Sequence, residues 1–155
     1  MKVAIILAIL VSTECSLVKF GPLCSGNPTN QARGCDVKWG CGNYGAKRGH
    51  GTHKGLDIKC SDEATVYAPF DVELKGQAAP YRSPTDLQKL INDGVNVSGE
   101  GLCFKLFYVK PDKYSGSLKK DERIGKLLPM QRTYPKITSH IHVQMCDRSD
   151  PTKYF

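Results

Sequence analysis

His53-Lys54-Gly55-Leu56-Asp57-Ile58-Lys59 reads as a turn that runs directly into a strand, and this reading decides the fold. Gly49, Gly51 and Gly55 crowd the histidine and disfavour a helix. Beyond Gly55 the residues alternate. Leu56 and Ile58 share one face and Asp57 takes the other, as in a half-buried strand. An imidazole at the turn and a carboxylate on the strand are thereby offered together.

Outward toward the C-terminus, residues 65–68 and 72–74 read as further strands, broken by Pro69. Ser83-Pro84-Thr85-Asp86 predicts the start of one short helix, with Ser83 capping it and Pro84 at its first position. Leu87, Leu90 and Ile91 would form its apolar stripe, and Gly94 would end it. Residues 95–98, 102–110 and 141–145 are the remaining strands. Residues 20–51 look loop-like, rich in Gly, Asn, Pro and Cys, with Trp39 and Tyr44 as large anchors. The expected architecture is mainly β: an antiparallel sheet core with one short helix and disulfide-tied loops.

The 155 residues amount to about one domain. A hydrophobic content of 40% with 24% charged residues excludes a disordered chain. Lys+Arg 22 against Asp+Glu 15 gives +7, which suits anionic partners. Met1-Lys2, an apolar run over residues 3–11 and the small and polar Ser12-Thr13-Glu14-Cys15-Ser16 fit a secretory signal peptide. We assign it to residues 1–18, ending between Cys15 and Lys19, and one domain to residues 19–155. The run falls short of the ~20 apolar residues that span a bilayer, and no later segment reaches that length. A secreted, extracellular protein without membrane insertion is expected.

With the leader removed, Cys24, Cys35, Cys41, Cys60, Cys103 and Cys146 remain. An even number in an oxidising compartment reads as three disulfides. Cys35 and Cys41 enclose a small loop and form the natural local bridge; spacing leaves the other pairings open. A zinc ribbon is disfavoured, because the chain has no C-x-x-C pair.

Four histidines occur: His50, His53, His140 and His142. His50, between two glycines, reads as an exposed loop residue. His140-Ile141-His142 puts two imidazoles on one strand face. Two imidazoles and a carboxylate supply three donors of the kind Zn²⁺ takes, with a fourth position open.

In that order, His53-Lys54-Gly55-Leu56-Asp57-Ile58, Ala64-Thr65-Val66-Tyr67-Ala68-Pro69 and His140-Ile141-His142 resemble the lysostaphin-type zinc metallopeptidases. Over about residues 21–155 the chain is similar in particular to a branch of secreted vertebrate chemotactic cytokines built on that fold. Val66-Tyr67-Ala68-Pro69-Phe70, Phe107-Tyr108, Lys110-Pro111 and Ser149-Asp150-Pro151-Thr152 carry this closer likeness. The resemblance implies zinc held by His53, Asp57 and His142, and disulfides Cys24–Cys60, Cys35–Cys41 and Cys103–Cys146. It places His140 where active peptidases keep one of two nonligand catalytic histidines. The other belongs to a block resembling Tyr-Gly-His-Leu, which here reads Leu106-Phe107-Tyr108-Val109. Tyr108 stands in its place, and a phenol with a reference pKa of ~10 is a poor proton acceptor.

The implied function is a zinc-binding, non-catalytic chemotactic cytokine of innate immunity, acting through cell-surface receptors, the hepatocyte growth factor receptor among them. Two alternatives stand beside it. One is an active zinc endopeptidase of the lysostaphin type. The other is a basic module for heparin-like glycans, built from Lys105, Lys110, Lys113, Lys119, Lys120, Arg123 and Lys126. Nucleic acid is not an expected partner, since aromatic stacking runs are missing.

Overall fold

The computed structural model describes residues 2–9 and 17–155. The exit of the expected leader, with Cys15, lies outside the described residues. Within the leader's apolar run, Val3, Ile5, Ile6, Leu7 and Ile9 are exposed and take no part in the core. No helix among the described residues is long and apolar enough to cross a membrane.

Two short ribbons come first: Cys35–Asp36 (β1) pairs with Gly40–Cys41 (β2), and Lys47–Arg48 (β3) with Gly51–Thr52 (β4). Then follow Leu56–Lys59 (β5), Thr65–Tyr67 (β6), Val72–Gln77 (β7), Gly94–Gly99 (β8) and Leu102–Phe107 (β9). Val109–Pro111 (β10), Ser115–Leu118 (β11), Arg123–Leu127 (β12) and His140–Met145 (β13) complete the strands. Six of them form one antiparallel sheet in the order β11-β7-β8-β9-β13-β5, and β10-β12-β6 form a second. The mainly antiparallel β architecture is the one expected from the sequence.

Alternation places Phe104 and Leu106 of β9, Ile141 and Val143 of β13, and Leu56 and Ile58 of β5 in the core. Val66, Ile124 and Leu127 meet them from the smaller sheet. Phe104 is fully buried and packs against Phe20 at 4.9 Å between ring centroids. Burial of one such side chain stabilises by about 1.5–3 kcal/mol. The opposite face of β9, β13 and β5 carries the polar residues.

Three disulfides tie the loops: Cys24 to Cys60, Cys35 to Cys41 and Cys103 to Cys146. β5 is an edge strand, yet its backbone is covered. The N–H of Arg33 donates to Asp57 O at 2.8 Å, the N–H of Asp57 to Gly42 O at 2.9 Å and that of Lys59 to Gln31 O at 3.0 Å. The N-terminal loop thus satisfies an edge that would otherwise present unpaired groups.

Three expectations are corrected. The helix opening at Ser83 is only a 3-10 turn over Gln88–Ile91. Its start is fixed by Thr85, whose Oγ1 accepts from the N–H of Gln88 while Gln88 Oε1 accepts from the N–H of Thr85. Of the proposed stripe only Ile91 is buried, with Leu87 and Leu90 45% and 41% exposed. The single strand over 102–110 is broken at Tyr108, which has φ +68° and passes the chain from the larger sheet to the smaller. The segment read as loop over 20–51 holds the first ribbon and all of the second but Thr52, and Gly49-His50 form the turn between β3 and β4.

Candidate metal centre

Register places the polar face. In the β13–β5 pair His142 stands opposite Asp57, and in the β13–β9 pair it stands opposite Phe107. Asp57, His142 and Phe107 therefore form one row across three strands, where directly opposed side chains meet. Phe107 stacks on the His142 ring, with 5.4 Å between centroids and 7° between planes. His140 lies two residues along the same face and brings Nε2 to 3.4 Å from Asp57 Oδ2.

His53 reaches this row from the end of the β3–β4 ribbon. Its N–H donates to Ala46 O and its carbonyl accepts from the N–H of Gly45, both at 2.8 Å. Gly55 makes the approach possible. A Cβ there would collide with Val143 O and lie 2.6 Å from His142 Nε2. Only glycine leaves room for the His142 ring.

His53 Nε2, Asp57 Oδ1 and His142 Nδ1 converge on one point. The separations are 3.0 Å between the two nitrogens, 3.2 Å from His53 to Asp57 and 2.9 Å from His142 to Asp57. All three residues are buried and form a group suited to a metal ion. Outer partners orient the rings. His53 Nδ1 faces Asn43 O at 2.9 Å, and a carbonyl only accepts, so Nδ1 carries the proton and Nε2 a lone pair. His142 Nε2 faces Gln144 Oε1 at 3.0 Å, which likewise turns the Nδ1 lone pair inward. Two imidazole lone pairs and a carboxylate oxygen then face one another at close range. A cation is what such a donor set fits, and two imidazole nitrogens with one carboxylate oxygen are donors of the kind Zn²⁺ takes.

Burial alone would push the Asp57 carboxyl up, but positive charge and N–H donation from His140, His142 and His53, as protonated imidazoles, outweigh it and hold the group well below the usual carboxylate range. With lone pairs turned inward instead, a cation would take over that role. Arg33, absent from the sequence reading of the site, donates through Nη1 to Asp57 Oδ2 at 3.2 Å. It is buried, with Nε on Asp36 at 2.9 Å and Nη2 on the carbonyls of Trp39 and Gly40 at 3.0 Å each.

His140 Nδ1 donates to Thr138 O at 2.7 Å, leaving Nε2 free toward the cleft. Burial pushes this imidazole down despite the Asp57 carboxylate, which favours its neutral form. Tyr108 meets the His140 ring edge-on at 5.7 Å. Burial pushes its phenol well above the usual value, and burial with neighbouring phenols pushes Tyr81 higher still. Both keep their protons. The cleft over these residues measures about 450 Å³, with Trp39, Tyr81 and Tyr134 in its walls. His50 stands apart, exposed at its ribbon turn.

No family model matches the chain. Leukocyte cell-derived chemotaxin-2 of Bos taurus is 51% identical over 132 residues, covering 85% of this chain and 84% of the relative. The Mus musculus protein of the same name is 50% identical over 132 residues, with the same shares covered. Among solved structures, Csd3 of Helicobacter pylori superposes with a TM-score of 0.53 at 12% identity, over 89% of this chain and 33% of that one. This last likeness is one of fold.

Proposed function

The chain belongs to the leukocyte cell-derived chemotaxin-2 family, and from that membership we propose that it is a secreted, zinc-bearing chemotactic factor of innate immunity and not a peptidase. Three disulfides support the extracellular setting. His53, Asp57 and His142 would hold the ion, and Zn²⁺ there supplies a cross-link between a turn and a strand as well as a Lewis acid.

One observation carries the non-catalytic part. Where the peptidase resemblance calls for a second proton-transfer histidine stands Tyr108, a protonated phenol hydrogen-bonded to Tyr81 at 3.1 Å. It can donate but is a poor acceptor at neutral pH, so His140 has no basic partner. The test takes purified protein carrying one equivalent of zinc and incubates it with glycine-rich peptide bridges, with and without chelator. No turnover is expected, while leukocyte migration toward the protein persists. Metal analysis of His142→Ala should find less than stoichiometric zinc.

The endopeptidase reading retains one specific support: His140 Nε2, neutral and aimed into an open cleft beside Asp57. Chelator-sensitive cleavage would establish it in place of our proposal. The glycan reading is weaker. Lys110, Lys119 and Arg123 are each engaged by a carboxylate, of Asp93, Asp71 and Asp112 at 3.7, 3.7 and 2.9 Å. Lys113 and Lys120, exposed beside them, supply the remaining charge, and with that little of it unpaired, elution from heparin at low salt is expected. The hepatocyte growth factor receptor is the surface partner to test first, by direct binding of its ectodomain.

A further inference from the structure

Tyr81, Tyr108 and Tyr134 stand in one hydrogen-bonded row on the cleft wall. Tyr81 and Tyr134 share a bond of 2.7 Å, and Tyr81 and Tyr108 one of 3.1 Å. Gln88 Nε2 donates to the Tyr134 oxygen at 3.2 Å. Each neutral phenol has one proton. Two phenol–phenol bonds use two of the three protons, and the Gln88 bond uses none because an amide N–H only donates. One O–H is therefore left over whichever way the row donates. None of the three finds a carbonyl or carboxylate acceptor among the described residues.

The surroundings match that surplus donor. Arg33 is matched there by Asp57 and Asp36, whereas Arg48, also in the cleft lining, donates only to the carbonyls of Lys47 and Cys41 and so keeps its charge without a carboxylate partner among the described residues. Trp39 and Phe107 provide flat apolar walls. Tyr108 is the phenol that meets the ring of His140, whose Nε2 lies 3.4 Å from Asp57 Oδ2.

We propose that this cleft captures, without cleaving, a carboxylate-bearing ligand with an aromatic or apolar body. The carboxylate accepts the spare phenol proton at Tyr108, beside His53, Asp57 and His142, while the body packs on Trp39 and Phe107. The proposal rests on the metal-bearing, non-hydrolytic reading of the same site. It specifies an oxyanion and not an amide as the bound group, because a phenol donor and the Arg48 guanidinium in the same cleft reward negative charge.

Calorimetric titration of protein verified to hold one equivalent of zinc tests it. The probes are N-acetyl-phenylalanine, its C-terminal amide and 3-phenylpropionate. The free acid should bind at least about tenfold more tightly than the amide, and Tyr108→Phe should erase most of that preference. N-acetyl-phenylalanine binding above 3-phenylpropionate marks a peptide C-terminus as the source; the reverse order marks a free organic acid. Either supports carboxylate recognition. Equal binding of acid and amide overturns the proposal, and that comparison needs only the unaltered protein. So does an undiminished preference in Tyr108→Phe. A zinc-loaded protein that ignores both acids defeats this inference alone, whereas a protein that takes up no zinc defeats the metal reading and this one with it.

Discussion

Arg33 and Asp57 divide the work of one carboxylate: Nη1 of Arg33 takes Oδ2 at 3.2 Å, and Oδ1 is left to face His53 and His142. The same guanidinium binds Asp36 and the carbonyls of Trp39 and Gly40 inside the Cys35–Cys41 loop. A disulfide loop on the surface is thereby wired to a candidate metal ligand.

Removing this guanidinium should injure both partners. Arg33→Met leaves two buried or half-buried carboxylates without their cation, and breaking a buried pair costs about 3–5 kcal/mol. Denaturant unfolding should show a loss in that range. Zinc affinity, measured by competition with a chelator, should fall by about 10–100-fold, as when a ligand's outer partner is lost.

Gly55→Ala should abolish metal uptake. The added methyl would press on Val143 O and the His142 ring, displacing the imidazole that completes the trio. Gly51→Ala, where a Cβ meets nothing within 4 Å, should retain one equivalent of zinc and alter stability by no more than about 0.5 kcal/mol.

Asp36 sets part of the acid limb of stability. Burial raises its carboxyl, but the N–H and hydroxyl of Thr138, at 2.9 and 2.7 Å, and then Arg33 lower it below the ordinary value. Its contribution is therefore full above the unfolded pKa of ~3.9 and disappears as pH falls through the folded one. Asp36→Asn should lose about 1–3 kcal/mol at neutral pH and unfold less steeply with acid, read from denaturation midpoints between neutral and strongly acid conditions.

Metal removal should lower the melting temperature, because an ion bound only by the folded chain stabilises it by mass action. At a free concentration of 100 times Kd the gain is about 2.7 kcal/mol. Imidazoles ligate only when neutral, so zinc should leave as pH falls, which a chromogenic chelator can follow. An unchanged melting temperature after complete chelation would remove the structural role of the ion.

The legible parts of the fold are those with clean periodicity. Leu56-Asp57-Ile58 and the last strand alternate without interruption, so their faces could be assigned from residues alone. The β12 strand escaped notice because a bulge between Arg123 and Gly125 breaks its alternation. The Ser115–Leu118 edge strand has too few apolar residues to signal itself. Nothing in Leu106-Phe107-Tyr108-Val109 announced a reversal of φ, since aromatic residues ordinarily continue a strand. At the site, the histidines and Asp57 were visible as residue types that bind metals, and register explains why they meet. Arg33 was not, because a single arginine in an irregular, glycine-rich segment carries no pattern. Only the loop crossing the sheet edge shows that its side chain points inward.

The two imidazoles facing Asp57 belong to residues 89 positions apart, one of them on the last strand of the larger sheet. A ribosome that has delivered residues 53 and 57 has made two donors and must still synthesise the third. On the proposed reading, metal content in a purified batch would certify synthesis through the last strand and correct docking, a test that molecules stopped before residue 142 or misassembled would fail.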